Sequence, residues 1–365
     1  MLNFHFFPSR RIAWYLARLF VLRSLAVLAV LVIILQTLDL LGESGKILRF
    51  AGNGDGELWH YVSLRLPRLA ARFLPFAVLL GTLITLATLN QNSEIISMKA
   101  AGISAHQIVA PLVVASLVIA AVAFVFQERV VTRSIATLTA WEAVEYGPLP
   151  PESRTSQNVW VRHADDLIFA RLVSGRGAGT HLQDVRIYDR TGGTLIALIT
   201  AKTGRRQGNG WLLEDVERFE VANTKVTRQP SLLFGEGIDP TQFTLAKVAP
   251  EQQDFETLAD SIRQMKAAGR PTGSLQAGLW HKLSQPLSVV LMPLLAAVAA
   301  FGLARSGQLF LRVILGMALG FSYFVADNFA LAMGNFGAYS PWLAAWAPFV
   351  LFLLVGETVL IRTEE

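Results

Sequence analysis

Residues 19–41 of the chain read LFVLRSLAVLAVLVIILQTLDLL, an almost unbroken apolar stretch with Arg23 near its start and Asp39 near its end. A helix needs about 20 mostly apolar residues to cross the ~30 Å hydrocarbon layer of a membrane. The stretch reaches that length. It is too long for the apolar region of a signal peptide and lacks a small-residue cleavage pattern, so we expect an uncleaved membrane anchor.

Five further stretches of the chain have the same apolar character. They run over about residues 73–89, 108–126, 283–303, 310–333 and 342–361. The composition agrees, because 53% of the 365 residues are hydrophobic and only 16% are charged, against about 25% charged in ordinary soluble domains. The sequence predicts six membrane spans. It excludes a disordered chain and argues against a purely soluble protein.

Between the third and fourth spans the long apolar stretches give way to a different sequence pattern. Short runs alternate apolar with polar residues, as in residues 159–162, 167–170, 185–188 and 212–221, and turn signals follow at 189–193 and 208–210. Alternation with frequent turns is typical of antiparallel strands. We predict an α+β membrane protein: spans one to three in residues 1–129, an antiparallel jelly-roll-like domain in 130–253, and a linker helix with spans four to six in 254–365.

The orientation follows from the even number of spans, which puts both termini on one side. With the termini in the cytoplasm, basic residues slightly favour the inner side, as the positive-inside rule requires. The inner ends carry seven and the first outer loop five: Arg10, Arg11, Arg18, Lys99, Arg305, Arg312 and Arg362 inside, and Lys46, Arg49, Arg65, Arg68 and Arg72 outside. The β-domain is then extracytoplasmic. Its strand edges either receive a partner's strands or are capped, leaving a domain that only stabilises the membrane-spanning part.

The linker after the β-domain has an amphipathic pattern. Apolar residues recur at a spacing of three or four between Phe255 and Ala268, and Gly269 and Pro271 then end the run. This spacing predicts a helix with one apolar face, lying at the membrane surface where the chain re-enters.

Signals for catalysis are missing from the sequence. There is no G-x-x-x-x-G-K-[ST] loop for a nucleotide, no H-E-x-x-H, no G-x-S-x-G and no cysteine. The histidines include no ligand-spaced pair: His60, His106, His163, His181 and His281 are scattered. We therefore predict no metal site, no cofactor bound by this chain and no enzymatic activity of its own.

Two acidic residues, Asp39 and Asp327, lie within or beside apolar spans, where a charge is costly. Asp327 has two interpretations. It acts as a relay or substrate contact in an ion- or proton-coupled carrier, or it forms a buried hydrogen bond between helices, which we favour. A G-x-x-x-G pair, Gly316 and Gly320, predicts close helix packing in the same span, either within the chain or against a partner.

The polar link between spans two and three, residues 90–102, predicts a short helix at about 92–101. Asn92 or Ser93 can cap it, Glu94 in its first turn complements the helix dipole, and Gly102 ends it. Held between two spans, such a helix is either a rigid lever that fits a groove in a soluble motor or an ordinary amphipathic turn on the lipid headgroups.

Three stretches of the chain resemble one known family, the YjgP/YjgQ permeases of the lipopolysaccharide export system. They are NSEIISMKAAG at 92–102, WHKLSQPLS at 280–288, and residues 312–327. The W-x-K-x-x-Q-P-L-S pattern in the second is closer to the LptG branch of the family than to the LptF branch. The resemblance covers nearly the whole chain, with three spans, a β-domain and three more spans.

The resemblance implies the permease subunit of an ABC transporter in the bacterial inner membrane. Such a subunit pairs with its paralogue LptF, is driven by a dimer of the ATPase LptB, which holds ATP and Mg, and extracts lipopolysaccharide. LptC joins it in a periplasmic bridge of jelly-roll domains. The link helix then contacts the ATPase, chiefly through Glu94. The implied coupling residues are Asn92, Ser93, Glu94, Ile95, Met98 and Lys99. A scaffold that only anchors an envelope complex remains an alternative, as does the carrier.

The resemblance also places the lipid between the first and fifth spans. Its acyl chains are expected against Leu31, Ile34, Leu35, Leu38, Phe321, Phe324 and Phe329. Family members carry lysines toward the outer end of the first span, thought to meet lipid phosphates, whereas this chain has Gln36, Gly42 and Glu43 there. Two alternatives stay open: the lipid carries fewer phosphates, or other basic residues take the place of these lysines, namely Lys46, Arg49, Arg65, Arg68 and Arg72.

Overall fold

The structure is a computed structural model that describes residues 8–148, 156–175, 177–235, 237–240, 243, 249–267, 270–302 and 309–362. Arg305, which the orientation argument used, lies outside these residues, as do Ala268 and Gly269 at the end of the predicted linker helix. The chain divides into two compact units. A membrane unit comprises Met1–Ala136 and Pro250–Glu365, and a sheet unit comprises Thr137–Ala249. The predicted limits of the β-domain were 130 and 253.

Six helical segments of the described chain are long and apolar enough to cross a membrane, which confirms the predicted number of spans. The third is longer than its apolar stretch, because the helix continues through a π-helical turn, Gln127–Val131, to Ala143. The helices are α1 (Arg10–Ile47), α2 (Asp55–Gln91), α3 (Glu94–Ala100), α4 (Ala105–Phe126), α5 (Thr132–Ala143), α6 (Phe255–Ala267), α7 (Gly273–Ala297), α8 (Leu309–Asn335) and α9 (Pro341–Arg362).

Helix α7 is the centre of the membrane unit. Of its most apolar stretch, 72% is buried, against 22% for α1. It packs against α2, α4, α8 and α9, and α1 packs mainly against α2. Because α1 is largely uncovered by its own chain, most of its apolar surface is left to face lipid or another protein.

Glycines set the closest helix crossings. A Cβ atom on Gly81 of α2 would lie 2.6 Å from the Cα atom of Ser24 in α1. On α8, Cβ atoms at Gly316 and Gly320 would meet the side chains of Leu83 and Leu79, at 2.6 and 2.2 Å. The predicted G-x-x-x-G contact is therefore made within the chain, against α2.

The sheet unit contains one antiparallel sheet whose described strands follow each other in the order β1 to β6. The two predicted turns are confirmed, since Gly192 and Gly193 connect β3 to β4 and Gly208 and Asn209 connect β4 to β5. Alternate residues of the strands form one apolar core. The strands are β1 (Ser156–His163), β2 (Asp166–Ser174), β3 (His181–Thr191), β4 (Thr194–Gln207), β5 (Gly210–Glu220) and β6 (Lys225–Phe234). The six spans and this antiparallel sheet confirm the α+β membrane fold class.

Helix α6 is the predicted amphipathic linker helix. Leu258, Ile262 and Met265 are buried on one face. The Asp254 carboxylate accepts a hydrogen bond from the Thr257 backbone N–H at 2.8 Å. Hydrogen bonds from the side chain and backbone of Thr257 hold the pKa of Asp254 below its ordinary value. This carboxylate therefore stabilises the start of α6 as an ionised cap.

Candidate functional site

The predicted lever helix is present as α3, but its start differs from the expectation. Ser93 occupies the N-cap position with φ +59°, in the left-handed region, and its hydroxyl makes no capping hydrogen bond. N-cap residues that cap with their side chains adopt extended backbone angles, so this conformation points the hydroxyl elsewhere. The Asn92 amide donates instead to Glu94 Oε1 at 3.3 Å. The sequence predicted a side-chain cap from Asn92 or Ser93. Ser93 holds the N-cap position without a side-chain capping bond, so the prediction of such a cap is wrong.

The end of α3 is as the sequence predicts. Gly102 has φ +83°, its N–H donates to the Lys99 carbonyl, and the Ile103 N–H donates to the Met98 carbonyl. This is a Schellman motif, which ends a helix at glycine. Ser104 and Gln107 then form a reciprocal capping box that begins α4. The turn from α3 into α4 is therefore closed by hydrogen bonds and holds α3 rigidly against the third span.

The two faces of α3 are chemically different. Ile95 is 5% exposed and belongs to the core of the membrane unit, with Met98 packed beside it. Ile96 on the other face is 61% exposed, and Ser97 and Lys99 are exposed too. An exposed isoleucine between polar residues, on a helix held at both ends, is typical of a surface that a partner covers.

Glu94 is half-buried at the start of α3. The Tyr15 hydroxyl of α1 donates to Glu94 Oε1 at 3.4 Å, from a residue 79 positions earlier in the chain. A cavity of about 200 Å³ lies beside α3, and Phe301 from the turn after α7 lines it. The Lys99 amine lies 5.2 Å from the centre of the Phe301 ring. Three predicted coupling residues, Glu94, Ile95 and Lys99, thus contact three different elements.

The predicted acyl-chain residues lie on two separate helices of the chain. On α1, Ile34 and Leu38 are 51% and 62% exposed, and on α8, Phe321 and Phe329 are 59% and 58% exposed. Leu31, Leu35 and Phe324 are half-buried. Helix α1 packs against α2 and α4, whereas α8 packs against α2, α7 and α9. Within one chain the two sets are not brought together, and each presents apolar side chains outward.

A cavity of about 360 Å³ lies between α2, α7, α8 and the π-helical turn. Its wall is mixed, since Phe76 and Phe324 line it with their rings 5.2 Å apart, edge to face, beside Arg68, Arg72 and His281. A cavity with aromatic walls and a few charged groups suits an amphiphilic molecule with an anionic headgroup.

The five basic residues predicted to meet lipid phosphates differ in their surroundings. Three of them form ion pairs within the chain: Lys46 with Glu43 at 2.8 Å, Arg65 with Asp39 at 2.7 Å, and Arg68 with Glu251 at 3.0 Å. Arg49 and Arg72 are exposed and form no ion pair with another described residue. These two guanidinium groups are the ones available to an anion without breaking a pair.

Both intramembrane acids are bound to neighbouring helices. Asp39 accepts hydrogen bonds from the Tyr61 hydroxyl at 2.6 Å and from Arg65 at 2.7 Å, both on α2. Asp327 Oδ2 lies 3.0 Å from His281 Nε2 on α7. These contacts join α1 to α2 and α7 to α8. For Asp327, the geometry favours the interhelical hydrogen bond over a relay.

The sequence analysis missed three polar residues of the membrane unit. The sequence shows no metal-ligand spacing at His281 and gives it no other role, yet it faces Asp327. Lys282, which is 6% exposed, donates to Glu128 Oε1 at 2.7 Å. Glu128 was placed beyond the third span because polar residues follow Phe126. The available signal was a lysine at the start of one apolar stretch and a glutamate at the end of another.

The residues described here do not bring three His, Asp or Glu side chains close enough to share a metal ion. Several polar groups of the membrane unit instead form pairs that join helical segments: Asp39–Arg65, His281–Asp327 and Lys282–Glu128. What the geometry offers is a short, rigid helix with an exposed face, two outward apolar surfaces and a charged cavity. These are means of binding partners and lipid rather than of breaking bonds.

Comparison with known proteins gives a consistent result. The family profile described as lipopolysaccharide export system permease LptF/LptG matches residues 14–362 of the chain. The lipopolysaccharide export system permease protein LptG of Escherichia coli K12 is 25% identical over 347 residues, which cover 90% of this chain and 94% of the relative. The protein of the same name from Haemophilus influenzae is 25% identical over 292 residues, covering 77% of this chain and 79% of the relative.

Proposed function

Because the chain belongs to the LptF/LptG family of lipopolysaccharide export system permeases, we propose that it is the LptG-type permease of an ABC transporter. In this proposal the chain extracts lipopolysaccharide from the bacterial inner membrane and passes it to a periplasmic jelly-roll bridge. ATP is hydrolysed, with Mg, on a partner ATPase of the LptB type. The paralogous permease LptF forms the other half of the lipid chamber, and LptC contributes to the bridge. Both termini then lie in the cytoplasm and the sheet unit in the periplasm.

The observation that carries this proposal is the construction of α3. One face is fixed in the core by Ile95, its end is closed by a Schellman motif and a capping box, and its other face exposes Ile96. A helix so held moves together with the spans on either side of it. A push on its exposed face is therefore transmitted to α2 and α4, as a lever requires.

The outward apolar surfaces of α1 and α8 support the second part of the proposal. Ile34 and Leu38 on α1 and Phe321 and Phe329 on α8 face away from their own chain. If a paralogue presents equivalent helices, the two chains enclose a chamber in which acyl chains are held by buried area rather than by polar contacts. Arg72, in the wall of the charged cavity, is then the residue best placed to meet a lipid phosphate.

The test is the variant Glu94→Lys, expressed with the ATPase, the paralogous permease and the single-span bridge protein. A lysine reverses the charge at the start of α3, so we expect recovery of the ATPase with the permease to fall at least about tenfold, with lipid release falling in parallel. Tyr15→Phe is the matched control, because it removes the hydrogen bond to Glu94 and leaves the carboxylate. It should assemble and release lipid normally.

The outcomes separate the proposal from its alternatives. Normal assembly and lipid release by Glu94→Lys would show that α3 is not the lever. Transport that continues without any ATPase would favour a coupled carrier, and ATP hydrolysis by the isolated chain would contradict the division of labour. Assembly without crosslinking of lipid to probes on α1 and α8 would indicate a scaffold.

A further inference from the structure

The side chain of Glu128 connects three parts of the membrane unit. It lies in the π-helical turn Gln127–Val131 and is 14% exposed. One carboxylate oxygen accepts a hydrogen bond from Lys282 of α7 at 2.7 Å, and the other accepts from the backbone N–H of Phe255, the first residue of α6. A buried charge pair is tolerated only when its remaining hydrogen-bonding groups are also satisfied. Here both carboxylate oxygens are used.

Glu128 and Phe255 lie close to the two points at which the chain passes between the two units. The chain passes from the membrane unit to the sheet unit after Ala136 and returns before Pro250. Glu128 lies eight residues before the first passage, and Phe255 lies five residues after the second. One carboxylate therefore ties the outgoing connection to the returning connection, and Lys282 fixes both to the central helix α7.

The returning segment is anchored at two further points. A Cβ atom on Gly278 of α7 would lie 2.6 Å from Pro250 Cβ, so the absence of a side chain lets Pro250 lie directly on that helix. Glu251 forms an ion pair with Arg68 of α2 at 3.0 Å. The first residues after the sheet unit are thus held to α2 and α7 before Phe255 reaches Glu128.

Helix α7 links this cluster to the fifth span. His281 and Lys282 are consecutive residues, and their side chains bind different neighbours: His281 faces Asp327 on α8, and Lys282 faces Glu128. Helix α8 carries the outward phenylalanines proposed to face lipid. A displacement of α8 therefore acts on α7 at the residue next to the one that holds both connections of the sheet unit.

The π-helical turn makes this a place where the third helix can change. A π-helical turn departs from the ordinary helical hydrogen-bond pattern, and such turns occur frequently at functional sites. Here the Thr132 hydroxyl donates to the Gln127 carbonyl at 2.8 Å. This side-chain hydrogen bond spans the turn between the helix before it and the helix after it.

We propose that the Glu128–Lys282 pair is the joint that holds both connections of the sheet unit to the membrane unit, and that lipid export requires it. This inference rests on the proposed function and adds two positioning residues to it. Neither residue need touch lipid or nucleotide. The pair makes the outgoing and returning segments move together with α7. Movement of the spans is thereby transmitted to the sheet unit.

The experiment compares Lys282→Met with Lys282→Arg in the complete transporter complex. Methionine keeps the apolar stem and loses the charge, whereas arginine keeps the charge and a donor for Glu128. Lys202→Met is the matched control, because the Lys202–Asp215 pair is exposed and lies within the sheet unit. Three rates are measured: ATP hydrolysis, lipid release to a soluble acceptor, and hydrogen exchange of the amides at 255–258.

For Lys282→Met we expect ATP hydrolysis within about twofold of the wild type, lipid release at least about tenfold slower, and amide exchange at 255–258 at least about tenfold faster. The reason is that Lys282 holds the Glu128 carboxylate in place, and without this contact the carboxylate turns away and Phe255 loses its acceptor. Lys282→Arg should recover release to within about threefold of the wild type. Lys202→Met should change none of the three rates.

Several results would contradict the proposal that the Glu128–Lys282 pair is a joint. Normal lipid release by Lys282→Met, with faster amide exchange, would mean that export does not need the pair. Unchanged amide exchange would mean that the pair does not hold the start of α6. Loss of complex assembly in both Lys282 variants would reduce the pair to a folding contact. If the wild-type complex hydrolyses ATP without releasing lipid, the proposed function fails, and amide exchange still decides whether the joint exists.

Discussion

Replacing Gly81 by alanine should weaken the packing of α1 against α2. In an ordinary helix interior this change gains about 1 kcal/mol, because glycine is the poorer helix former. At Gly81 the new Cβ atom would lie 2.6 Å from Ser24 Cα and 2.7 Å from the Ser24 backbone nitrogen. Carbon atoms in contact prefer separations of about 3.5–4.0 Å, so backbone, not a flexible side chain, must move by about 1 Å.

The expected size follows from these opposing effects. Forcing a methyl group into a well-packed contact costs about 1–3 kcal/mol, and the gain in helix propensity offsets about 1 kcal/mol of it. We expect a net loss of up to about 2 kcal/mol. That is a fall of a few degrees in the unfolding midpoint, at the roughly 2–4 °C per kcal/mol found for domains of about 150–250 residues. Gly45→Ala in α1 is the control, since nothing lies within 4 Å of its Cβ position, and it should not lower stability.

The assay is thermal unfolding of the purified chain in lipid nanodiscs, with both variants measured side by side. A second reading is crosslinking between cysteines introduced on facing positions of α1 and α2, which should become less efficient in Gly81→Ala only. If Gly81→Ala is as stable as Gly45→Ala, the backbones of the two helices do not approach this closely. The account of α1 as a helix held chiefly by α2 would then be wrong.

Two further predictions concern polar groups. Asp327→Asn should leave lipid release by the transporter complex intact and lower stability by about 1 kcal/mol, because a neutral hydrogen bond to His281 replaces a charge-assisted one; a folded complex that no longer exports would instead support a carrier. Asp254→Ala should cost about 1 kcal/mol at pH 7 through loss of the cap on α6. In the folded chain the pKa of Asp254 is below its ordinary value of 3.8. The difference in stability between Asp254→Ala and the wild type should therefore be complete above pH 3.8 and disappear as the pH falls through the pKa of Asp254 in the folded chain. Denaturation measured across pH tests this.

The spans were predictable because hydrophobic length is a local property. Each apolar stretch is long enough by itself, so no knowledge of neighbouring helices is needed. The same reasoning misplaced the end of the third helix, since Gln127, Glu128 and Arg129 read as the edge of a span. The helix continues because Lys282, 154 residues further on, supplies the charge that Glu128 needs. Such a contact has no local signal.

The sheet shows the same division between local and distant information. Strands β1, β2, β3 and β5 contain the alternating runs that the sequence displays, and glycines mark the turns at 192–193 and 208–209. Strand β6, Lys225–Phe234, was not predicted. It is an outer strand of the sheet, most of its side chains are exposed, and alternation is weak where neither face is well buried.

The candidate site also combines features that have a local sequence signal with contacts that do not. The position, polarity and end of α3 were predictable because glycine at 102 and acid at 94 act within one turn. The contact between Tyr15 and Glu94 and the pairing of Asp39 with Arg65 depend on how α1 lies against its neighbours. The residues predicted to contact acyl chains lie on two helices, α1 and α8, that one chain does not bring together, and the proposed function assigns the completion of the chamber to a partner.

The pairing of charges in the membrane unit identifies the surfaces that need a partner. A charge buried in hydrocarbon is costly, and the folded chain reduces that cost by pairing acids with bases across helices. The pairs are Asp39–Arg65, Glu128–Lys282, Asp327–His281 and Glu357–His106. Arg72 in the cavity wall and the polar residues around Ile96 on α3 remain exposed after this pairing. In the proposed function, an anionic lipid meets the first of these surfaces and a soluble ATPase meets the second.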